Sequence, residues 1–308
     1  MKNQQLHDRA VLLRIARNYF DTRNILEVDT PIISTFASID AHIDLISTKE
    51  GRFLHSSPEY AMKRLIANGI GDIFQLSHVF REGEVGKKHN PEFMMAEWYR
   101  LNISFQQMID ETLEFIQLFL GDMQKKQRTY RETFIEYAGF DPAESSIDEL
   151  KKFCTEKNIQ TYDGIEKEGL DAFLNLILGD FIEPKLGDSE LYVLSHYPAS
   201  QAALAVKVHS STYPVAERFE VYYKGVELAN GYHELGDSKE QRERFIDANA
   251  HRVALGKQPL PIDEHFLKAL EKGFPDCCGV AVGFDRLMML RHQANHIEEV
   301  IPFSWNEI

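Results

Sequence analysis

Cysteine is scarce in this chain of 308 residues, which has only three, at positions 154, 277 and 278. Their spacing fits neither a disulfide framework nor a zinc site, and it favours a reducing compartment. Long apolar runs are also missing, since none approaches the roughly 18 residues that span a bilayer. Charged residues interrupt the apolar positions of residues 1–30, so we expect a cytoplasmic protein without a signal peptide or a membrane partner.

Basic residues are in deficit as well, because 34 lysines and arginines stand against 48 acidic residues and leave a net charge of −14. A broad basic surface for nucleic acid is therefore not predicted. The length provides ample material for a hydrophobic core. The sequence contains no repeats, low-complexity segments or long linkers, and we interpret residues 1–308 as one mixed α/β domain.

Apolar periodicity, caps and turn residues define the predicted elements. Ser57-Pro58-Glu59 predicts a helix start, because it combines a capping hydroxyl, a proline in the first turn and an acid at the positive end of the helix dipole. The predicted helices are at 6–20, 57–69, 105–120, 237–256 and 263–273, and the predicted strands are at 25–28, 73–81, 93–101 and 280–282.

Residues 121–190 are more polar and more helical in pattern than the rest of the chain, and Ser146 with Glu149 has the spacing of a capping box. We therefore predict a mainly helical insertion at about 121–190 within the single domain. The β pattern resumes after Leu191, and residues 218–234 are predicted to form a hairpin.

The segment from Phe80 to Arg100, FREGEVGKKHNPEFMMAEWYR, is the most informative one. Arg81 lies at the end of a predicted strand, and a polar loop then returns into a second apolar run. A guanidinium reads phosphate or carboxylate oxygens in bidentate fashion, and Phe93 on the returning strand can stack on a nucleobase. A charged surface hairpin with a buried phenylalanine is the alternative.

A glycine-rich strand precedes a helix near the carboxyl terminus. The run GVAVG at 279–283 contains glycines that let a ligand approach the backbone, and Arg286 follows in the first turn of the helix. The alternative is a strand bulge followed by a solvated arginine.

Three segments in order resemble motifs 1, 2 and 3 of the class II aminoacyl-tRNA synthetases: the first helix with its following strand, the 80–100 segment and the 279–287 segment. The resemblance implies an α/β (α+β) catalytic domain with a mixed, mostly antiparallel sheet flanked by helices. It also implies a homodimer formed through motif 1, catalytic roles for Arg81 and Arg286, and stacking of Phe93 on the adenine of ATP.

Two further runs, HNPEF at 89–93 and ELANGYHEL at 227–235, are similar to the lysyl-tRNA synthetase subgroup. Motif 1 begins almost at the amino terminus, so we expect no room for that subgroup's anticodon-binding OB-fold. A free-standing catalytic domain resembles the ligases that attach (R)-β-lysine to a lysine of translation elongation factor P. The resemblance implies ATP, Mg²⁺, (R)-β-lysine and elongation factor P as partners, and no tRNA.

The resemblance also assigns binding residues. Those that would bind ATP are Arg81, Glu82, Gly83, Glu84, Asn90, Phe93, Glu227, Leu228, Gly283 and Arg286. Those that would bind the amino acid are Ser57, Pro58, Glu59, Tyr99, Asn230, Glu234 and Ala281. A lysine-like substrate carries two ammonium groups, and each needs a partner when desolvated. Ser57 and Glu59 would hold the backbone-side amine, while Tyr99 and Glu234 would hold the distal ammonium.

Glu220 and Glu227 form a second acidic pair, on the predicted hairpin. With a two-residue loop near Lys224-Gly225, both carboxylates point to the same face. Two carboxylates on one face suit Mg²⁺ shared with ATP phosphates, and the resemblance assigns both to the metal. A three-residue loop would separate the pair, and a solvated charged face is the alternative.

Two positions depart from the synthetase pattern. Gly83 stands where many synthetases have an acid two places after the motif 2 arginine, so Glu84 or a loop carbonyl would replace its contact with adenine. Ala281 stands where lysyl-tRNA synthetases have glycine. Resemblance to the ligases implies that this methyl group favours a substrate whose amino group is moved one carbon along, by roughly 1–3 kcal/mol. Neutral drift is the alternative.

Two other functions share the pattern. A minimal lysyl-tRNA synthetase-like enzyme would use the same pocket but would need a nucleic-acid surface, which the net charge of −14 does not favour. A non-catalytic regulatory paralogue would bind its ligand only as a signal. The presence of Arg81, Arg286 and both hairpin glutamates argues against a regulator.

Overall fold

The computed structural model describes residues 2–36, 38–209 and 213–308. The chain forms two compact units, a first unit of Met1–Gly121 and Glu234–Ile308 and a second unit of Asp122–His233. The helices in chain order are α1 (Lys2–Asp21), α2 (Glu59–Ala67), α3 (Phe105–Leu120), α4 (Tyr130–Tyr137), α5 (Ile147–Lys157), α6 (Ile165–Glu168), α7 (Leu170–Ile177), α8 (Ser238–Ala254), α9 (Glu264–Glu271) and α10 (Phe284–Arg291). The strands are β1 (Leu26–Glu27), β2 (Ile33–Ser34), β3 (Phe53–Leu54), β4 (Ile73–Phe80), β5 (Glu92–Leu101), β6 (Lys125–Thr129), β7 (Leu191–Pro198), β8 (Lys207–His209), β9 (Pro214–Tyr223), β10 (Val226–His233) and β11 (Cys277–Gly283).

Local side-chain chemistry sets helix starts where the sequence predicts them. Ser57 Oγ accepts a hydrogen bond from the N–H of Glu59 at 3.0 Å, at the beginning of α2. Ser146 and Glu149 form the predicted reciprocal capping box of α5. The capping box of α5 is therefore confirmed. The predicted start of α2 is confirmed in position, but its N-cap residue is Pro58 and not Ser57. Helix α1 covers the whole of the predicted helix at 6–20.

The first unit contains a mixed sheet in the order β1-β4-β5-β11, in which β1 is parallel to β4 and the other pairs are antiparallel. Trp98 on β5 packs against Phe20 of α1 and Phe115 of α3, at ring-centroid distances of 5.3 and 5.1 Å. Successive side chains of a strand alternate between faces, so Glu97 and Tyr99 point away from these helices. Tyr99 packs there against residues of α2, and this face carries the candidate site.

In the second unit the strands follow the order β10-β9-β7-β6, with β8 paired to β9. Strand β6 is parallel to β7 and the other pairs are antiparallel. The helices α4, α5 and α7 bury a core that includes Phe134, Phe153 and Phe173. The sheets and helices of the two units confirm the predicted α/β class with mostly antiparallel strands. The insertion at about 121–190 stays a prediction, and that segment also contains β6.

The hairpin of β9 and β10 has the predicted two-residue loop. Lys224 and Gly225 both adopt positive φ, 50° and 63°, as a tight I′ turn requires. Glu227 pairs with Tyr222, which lies two residues from Glu220, so the register puts both glutamates on one face as predicted. A bulge just after Glu227 then shifts the register of the rest of β10.

Within residues 2–36, 38–209 and 213–308, none of the helices has the length and apolar character that crossing a bilayer requires. The three cysteines lie inside these ranges, and all of them are buried thiols. Burial raises the pKa of the Cys277 thiol well above its usual range. This thiol is therefore a packing group rather than a nucleophile.

Candidate active site

Three glutamates and one lysine meet inside the first unit, and we name Glu59, Lys63, Glu97 and Glu234 the acid cluster. Glu59 and Lys63 lie one turn apart on α2, and Glu97 lies on β5. Glu234 is held beside β11, because its N–H donates to the carbonyl of Cys277 at 3.0 Å. The members come from separate parts of the sequence, so only folding brings them together.

Lys63 is fully buried and lies between two carboxylates. Its Nζ is 2.5 Å from Glu59 Oε1 and 2.5 Å from Glu234 Oε2. Burial alone would lower the pKa of Lys63, but the charges of Glu234 and Glu59 outweigh it and raise that pKa above its usual value. Lys63 is therefore a charged part of the site at every physiological pH.

Glu97 is oriented by two hydrogen bonds. Tyr99 Oη donates to its Oε1 at 2.7 Å, and Ser57 Oγ donates to its Oε2 at 2.8 Å. The same Ser57 oxygen accepts the N–H of Glu59. The structure thus brings together Ser57, Glu59, Tyr99 and Glu234, the residues expected to hold the two ammonium groups of the substrate.

The acid cluster has three carboxyl groups and only one cation, Lys63. Burial, and then the charge of Glu59, raises the pKa of Glu97 to about 7. Burial also raises the pKa of Glu234 to about 8, although Lys63 opposes that shift. Buried charges are stable only when they are paired, so when all three carboxylates are ionised, the one ammonium leaves two negative charges to be matched. The cluster is suited to a ligand that carries ammonium groups.

Strand β11 presents its smallest residues to the same face. Gly279 pairs with Tyr99, and Ala281 pairs with Glu97. A Cβ at Gly279 would overlap Glu234 Oε1 and the edge of the Tyr99 ring, so the close approach requires glycine. The methyl group of Ala281 stands opposite Glu97, where cross-strand side chains are in contact range.

Sequence analysis did not single out Glu97 or Lys63. Signals for both existed, since Glu97 alternates with Tyr99 on a predicted strand and Lys63 follows Glu59 by four residues. The same spacings are common on solvated strands and helices. What distinguishes Lys63 and Glu97 from such solvated residues is their burial, which depends on the packing of α2 against the sheet.

Arg81 lies just after β4, where its N–H donates to the carbonyl of Pro91 at 2.9 Å. Its guanidinium carbon is 5.0 Å from the centroid of the Phe93 ring, and its ion pair with Glu84 is long at 3.8 Å. Its Nε is buried without a hydrogen-bond partner among residues 2–36, 38–209 and 213–308. A buried donor of this kind is suited to an anionic ligand.

Arg286, in the first turn of α10, contacts the loop between β4 and β5. Its Nη2 donates to His89 Nε2 at 2.8 Å. Burial, and then the charge of Arg286, lowers the pKa of His89. Because arginine can only donate, His89 Nε2 is the acceptor in this contact, and the ring carries its proton on Nδ1. The contact joins the motif 3 arginine to the motif 2 loop.

The motif 2 loop explains one departure from the synthetase pattern. Gly83 has a φ of +76°, a left-handed conformation that favours glycine over an acid. Glu82 is exposed, and its N–H donates to the carbonyl of Asp44 at 2.9 Å. Glu84 lies near Arg81. Replacement of the missing acid by Glu84 stays a prediction.

Several residues predicted to bind ligands also have structural contacts. Asn90 Nδ2 donates to the carbonyl of Glu92 at 2.6 Å, and its Oδ1 accepts the N–H of Trp305 at 3.0 Å. Pro58 and Gly283 are the N-cap residues of α2 and α10. Their ligand contacts stay predictions.

In the second unit, Glu220 is part of a buried polar network. Arg218 Nη2 donates to its Oε1 at 2.6 Å, Tyr197 Oη donates to its Oε2 at 2.5 Å, and Tyr222 Oη donates to the same Oε2. These bonds take three of the roughly four lone-pair positions of a carboxylate. One position on Oε1 is left for another ligand.

Two more residues predicted to bind ligands follow on β10. Leu228 is buried at the bulge. Asn230 Nδ2 donates to Tyr232 Oη at 3.0 Å, while its Oδ1 is buried and has no hydrogen-bond partner within the described part of the chain. That acceptor suits a ligand with an N–H or O–H group.

The hairpin glutamates Glu220 and Glu227 are predicted to hold Mg²⁺ as a pair. Among residues 2–36, 38–209 and 213–308, no group of three or more histidine, cysteine or acidic side chains is placed to hold a metal. Mg²⁺ is commonly held by one or two carboxylates together with substrate phosphates and water. A role of Glu220 and Glu227 in holding Mg²⁺ together with ATP phosphates stays a prediction.

The chain matches known proteins along almost its whole length. A family model described as tRNA synthetases class II (D, K and N) matches residues 1–307. A protein of Vibrio parahaemolyticus serotype O3:K6 (strain RIMD 2210633) named "Elongation factor P--(R)-beta-lysine ligase" is 42% identical over 311 residues, and the match covers 98% of this chain and 96% of the relative. Proteins of the same name from Histophilus somni (strain 2336) and Avibacterium paragallinarum are both 43% identical, over 98% of this chain and 95% of each relative. The matches confirm the resemblance to class II synthetases and to these ligases.

Proposed function

We propose that this chain is an ATP-dependent ligase that activates (R)-β-lysine and transfers it to a lysine of translation elongation factor P. The chain belongs to the class II tRNA synthetase family of the aspartate, lysine and asparagine enzymes. The observation that carries the proposal is the acid cluster, in which Lys63 can neutralise only one of three carboxylates when all are ionised, and in which Glu97 and Glu234 are buried. Full-length relatives that bear the name of this ligase support it.

A diammonium substrate completes the charge balance of the acid cluster. Glu59 and Ser57 would hold the amine nearer the reacting carboxylate. Glu234, Glu97 and Tyr99 would hold the distal ammonium. This assignment is supported by the buried carboxylates of Glu97 and Glu234, which need positive partners when ionised.

In the first step, a carboxylate oxygen of β-lysine attacks the α-phosphorus of ATP, and the bond to the bridging oxygen breaks to release pyrophosphate. Arg81 would stabilise the charge on the pentavalent phosphorus, Arg286 would grip the outer phosphates, and Phe93 would stack on adenine. Mg²⁺ held by Glu220 and Glu227 would offset phosphate charge. A carboxylate is already a nucleophile, so positioning and electrostatics supply the rate without a general base.

In the second step, the neutral side-chain amine of a lysine on elongation factor P attacks the carbonyl carbon of the adenylate. An amide bond forms, AMP leaves with the electrons of the acyl–phosphate bond, and the amine loses a proton to solvent. The acceptor is thus a protein amine instead of a tRNA hydroxyl.

Exposed apolar residues support a homodimer as part of this proposal. Val11 and Ile15 on α1, Leu26 on β1, and Ile32 and Ile33 in the following segment are exposed on the first unit. A protein interface would remove these apolar side chains from water. These residues belong to the motif 1 region, through which the dimer is expected to form. The proposal also includes a cytoplasmic location and no tRNA substrate.

ATP–pyrophosphate exchange with α-lysine and (R)-β-lysine side by side tests the proposal. We expect strong dependence on β-lysine, followed by transfer to elongation factor P when that protein is added and no transfer to added tRNA. Preference for α-lysine with transfer to tRNA would instead identify a minimal synthetase. Folded protein without any exchange would identify a regulator.

Ala281→Gly is expected to move the preference from (R)-β-lysine toward α-lysine. The ratio of the two kcat/KM values should change by about 10–200-fold, since one methyl group in a pocket contributes roughly 1–3 kcal/mol of discrimination. Parallel exchange assays measure this ratio. Ala143→Gly, at an exposed position, is the matched control, and an unchanged ratio in Ala281→Gly would refute a role for this methyl group.

The acid cluster predicts a pH dependence. The kcat/KM for β-lysine should rise through pH 7 to 8, because Glu97 and Glu234, with pKa values raised to about 7 and about 8, bind an ammonium strongly only when ionised. The distal ammonium itself stays charged until about pH 10. Exchange at limiting β-lysine from pH 6 to 9 measures the profile, and a flat profile would contradict it.

A further inference from the structure

Lys63 supplies the ammonium of the acid cluster, yet no step of the proposed reaction uses it. Its position on α2 follows Glu59 by one helical turn, and its side chain is fully buried. Lysine is almost never fully buried unless it is paired. Here the pairing is with Glu59 on the same helix and with Glu234 from the segment beside β11.

We propose that Lys63 is a positioning residue that acts as a built-in counter-ion: it holds Glu59 and Glu234 in place and sets at two the number of ammonium groups that the cluster accepts. The inference deepens the proposed function and rests on it. Lys63 acts through the two carboxylates and contributes no atom to the reaction.

Charge balance supports this role. The groups that face Lys63 are Glu59 on α2, Glu97 and Tyr99 on β5, Glu234, and the neutral thiol of Cys277 on β11. With the three glutamates ionised, Lys63 and the two ammonium groups of β-lysine give a neutral assembly. A substrate with one ammonium leaves a buried charge unmatched, which is costly in a desolvated site.

The position of the Lys63 ammonium supports the positioning role independently. Because Lys63 Nζ is 2.5 Å from an oxygen of each partner, it fixes the spacing between the Glu59 and Glu234 carboxylates. Without this cation the two carboxylates would repel each other. The remaining oxygens then keep fixed directions toward the substrate, as pre-organised binding requires.

Variants that separate charge from volume test the inference. Lys63→Met retains most of the side-chain volume without the charge. Lys63→Ala removes a fragment equivalent to propylammonium. Lys151→Met is the matched control, because Lys151 forms its ion pair with the exposed Glu166, at 2.6 Å. The assay is β-lysine-dependent pyrophosphate exchange, with propylammonium chloride or 1-propanol added to Lys63→Ala.

We expect Lys63→Met to lower kcat/KM for β-lysine by about 10²-fold or more, mostly through KM, as for a broken buried charge pair. The KM for ATP should stay unchanged. Propylammonium should restore activity to Lys63→Ala, while 1-propanol should not. Normal activity of Lys63→Met, or equal rescue by 1-propanol, would show that Lys63 only fills space and would overturn the inference.

Loss of folding would also be informative. If Lys63→Met is unfolded at pH 8, the inference expects it to fold at pH 6, where protonated glutamates no longer repel each other. Failure to fold at both values would overturn the counter-ion role. The wild-type protein distinguishes the two proposals: absence of β-lysine-dependent exchange there refutes the proposed function, whereas wild-type exchange with an unaffected Lys63→Met refutes the inference alone.

Discussion

Replacing Arg81 by alanine should lower the rate of adenylate formation by about 10²–10³, the loss typical of one removed oxyanion donor. The guanidinium lies over Phe93, keeps only a long contact with Glu84, and has a buried Nε without a hydrogen-bond partner among the described residues. It is therefore available to the negative charge that develops on the α-phosphate. Single-turnover formation of the adenylate measures the effect directly.

The arginine test has two matched comparisons. Arg242→Ala removes an exposed pair with Glu264 at 2.6 Å and should leave the rate unchanged. Arg81→Lys keeps the charge but loses the planar fork, so its rate should lie between those of the wild type and Arg81→Ala. Near-normal pyrophosphate exchange in folded Arg81→Ala would remove Arg81 from the catalytic assignment.

Glu234→Gln should raise the KM for (R)-β-lysine by about 10²–10³-fold, because truncating one member of a buried charge pair usually costs roughly 2–5 kcal/mol. Glutamine has nearly the same shape, so the close approach of Gly279 to this side chain is retained. The substitution removes only the negative charge, so Lys63 and the distal ammonium of the substrate both lose the Glu234 carboxylate as a partner. Exchange kinetics at varied β-lysine measure the change.

The KM for ATP serves as the internal reference for Glu234→Gln, since the acid cluster is expected to contact the amino acid and not the phosphates. Glu264→Gln, at an exposed site, is the control for removal of a carboxylate. Thermal unfolding of each variant separates binding from stability. An unchanged KM for β-lysine in a folded variant would exclude Glu234 as a partner of the ammonium.

Local rules were sufficient for much of the fold. The start of α2, the capping box of α5 and the two-residue turn at Lys224-Gly225 each depend on neighbours within four residues. Such short-range hydrogen bonds and φ preferences depend on neighbouring residues and can therefore be predicted from the sequence. The alternation of side chains between the two faces of the hairpin also predicted correctly that Glu220 and Glu227 lie on the same face.

The same rules could not distinguish a buried charge from a solvated one. Glu59 and Lys63 have the spacing of an ordinary surface pair on a helix, worth a few tenths of a kcal/mol. In the structure Glu234 also pairs with Lys63, and the Lys63 side chain is fully buried. Desolvation strengthens the interaction, and it also raises the pKa of Glu97 to about 7.

By itself, the sequence determined the class of fold, the order of the three motifs, and the arginines and glutamates from which a ligase site would be assembled, because these follow from local patterns. Only the tertiary structure decided that Lys63 occupies the acid cluster, that Glu97 stands opposite Ala281, and that Gly279 tolerates no side chain. These features depend on distances between segments far apart in the chain, and on the loss of water when the segments pack together.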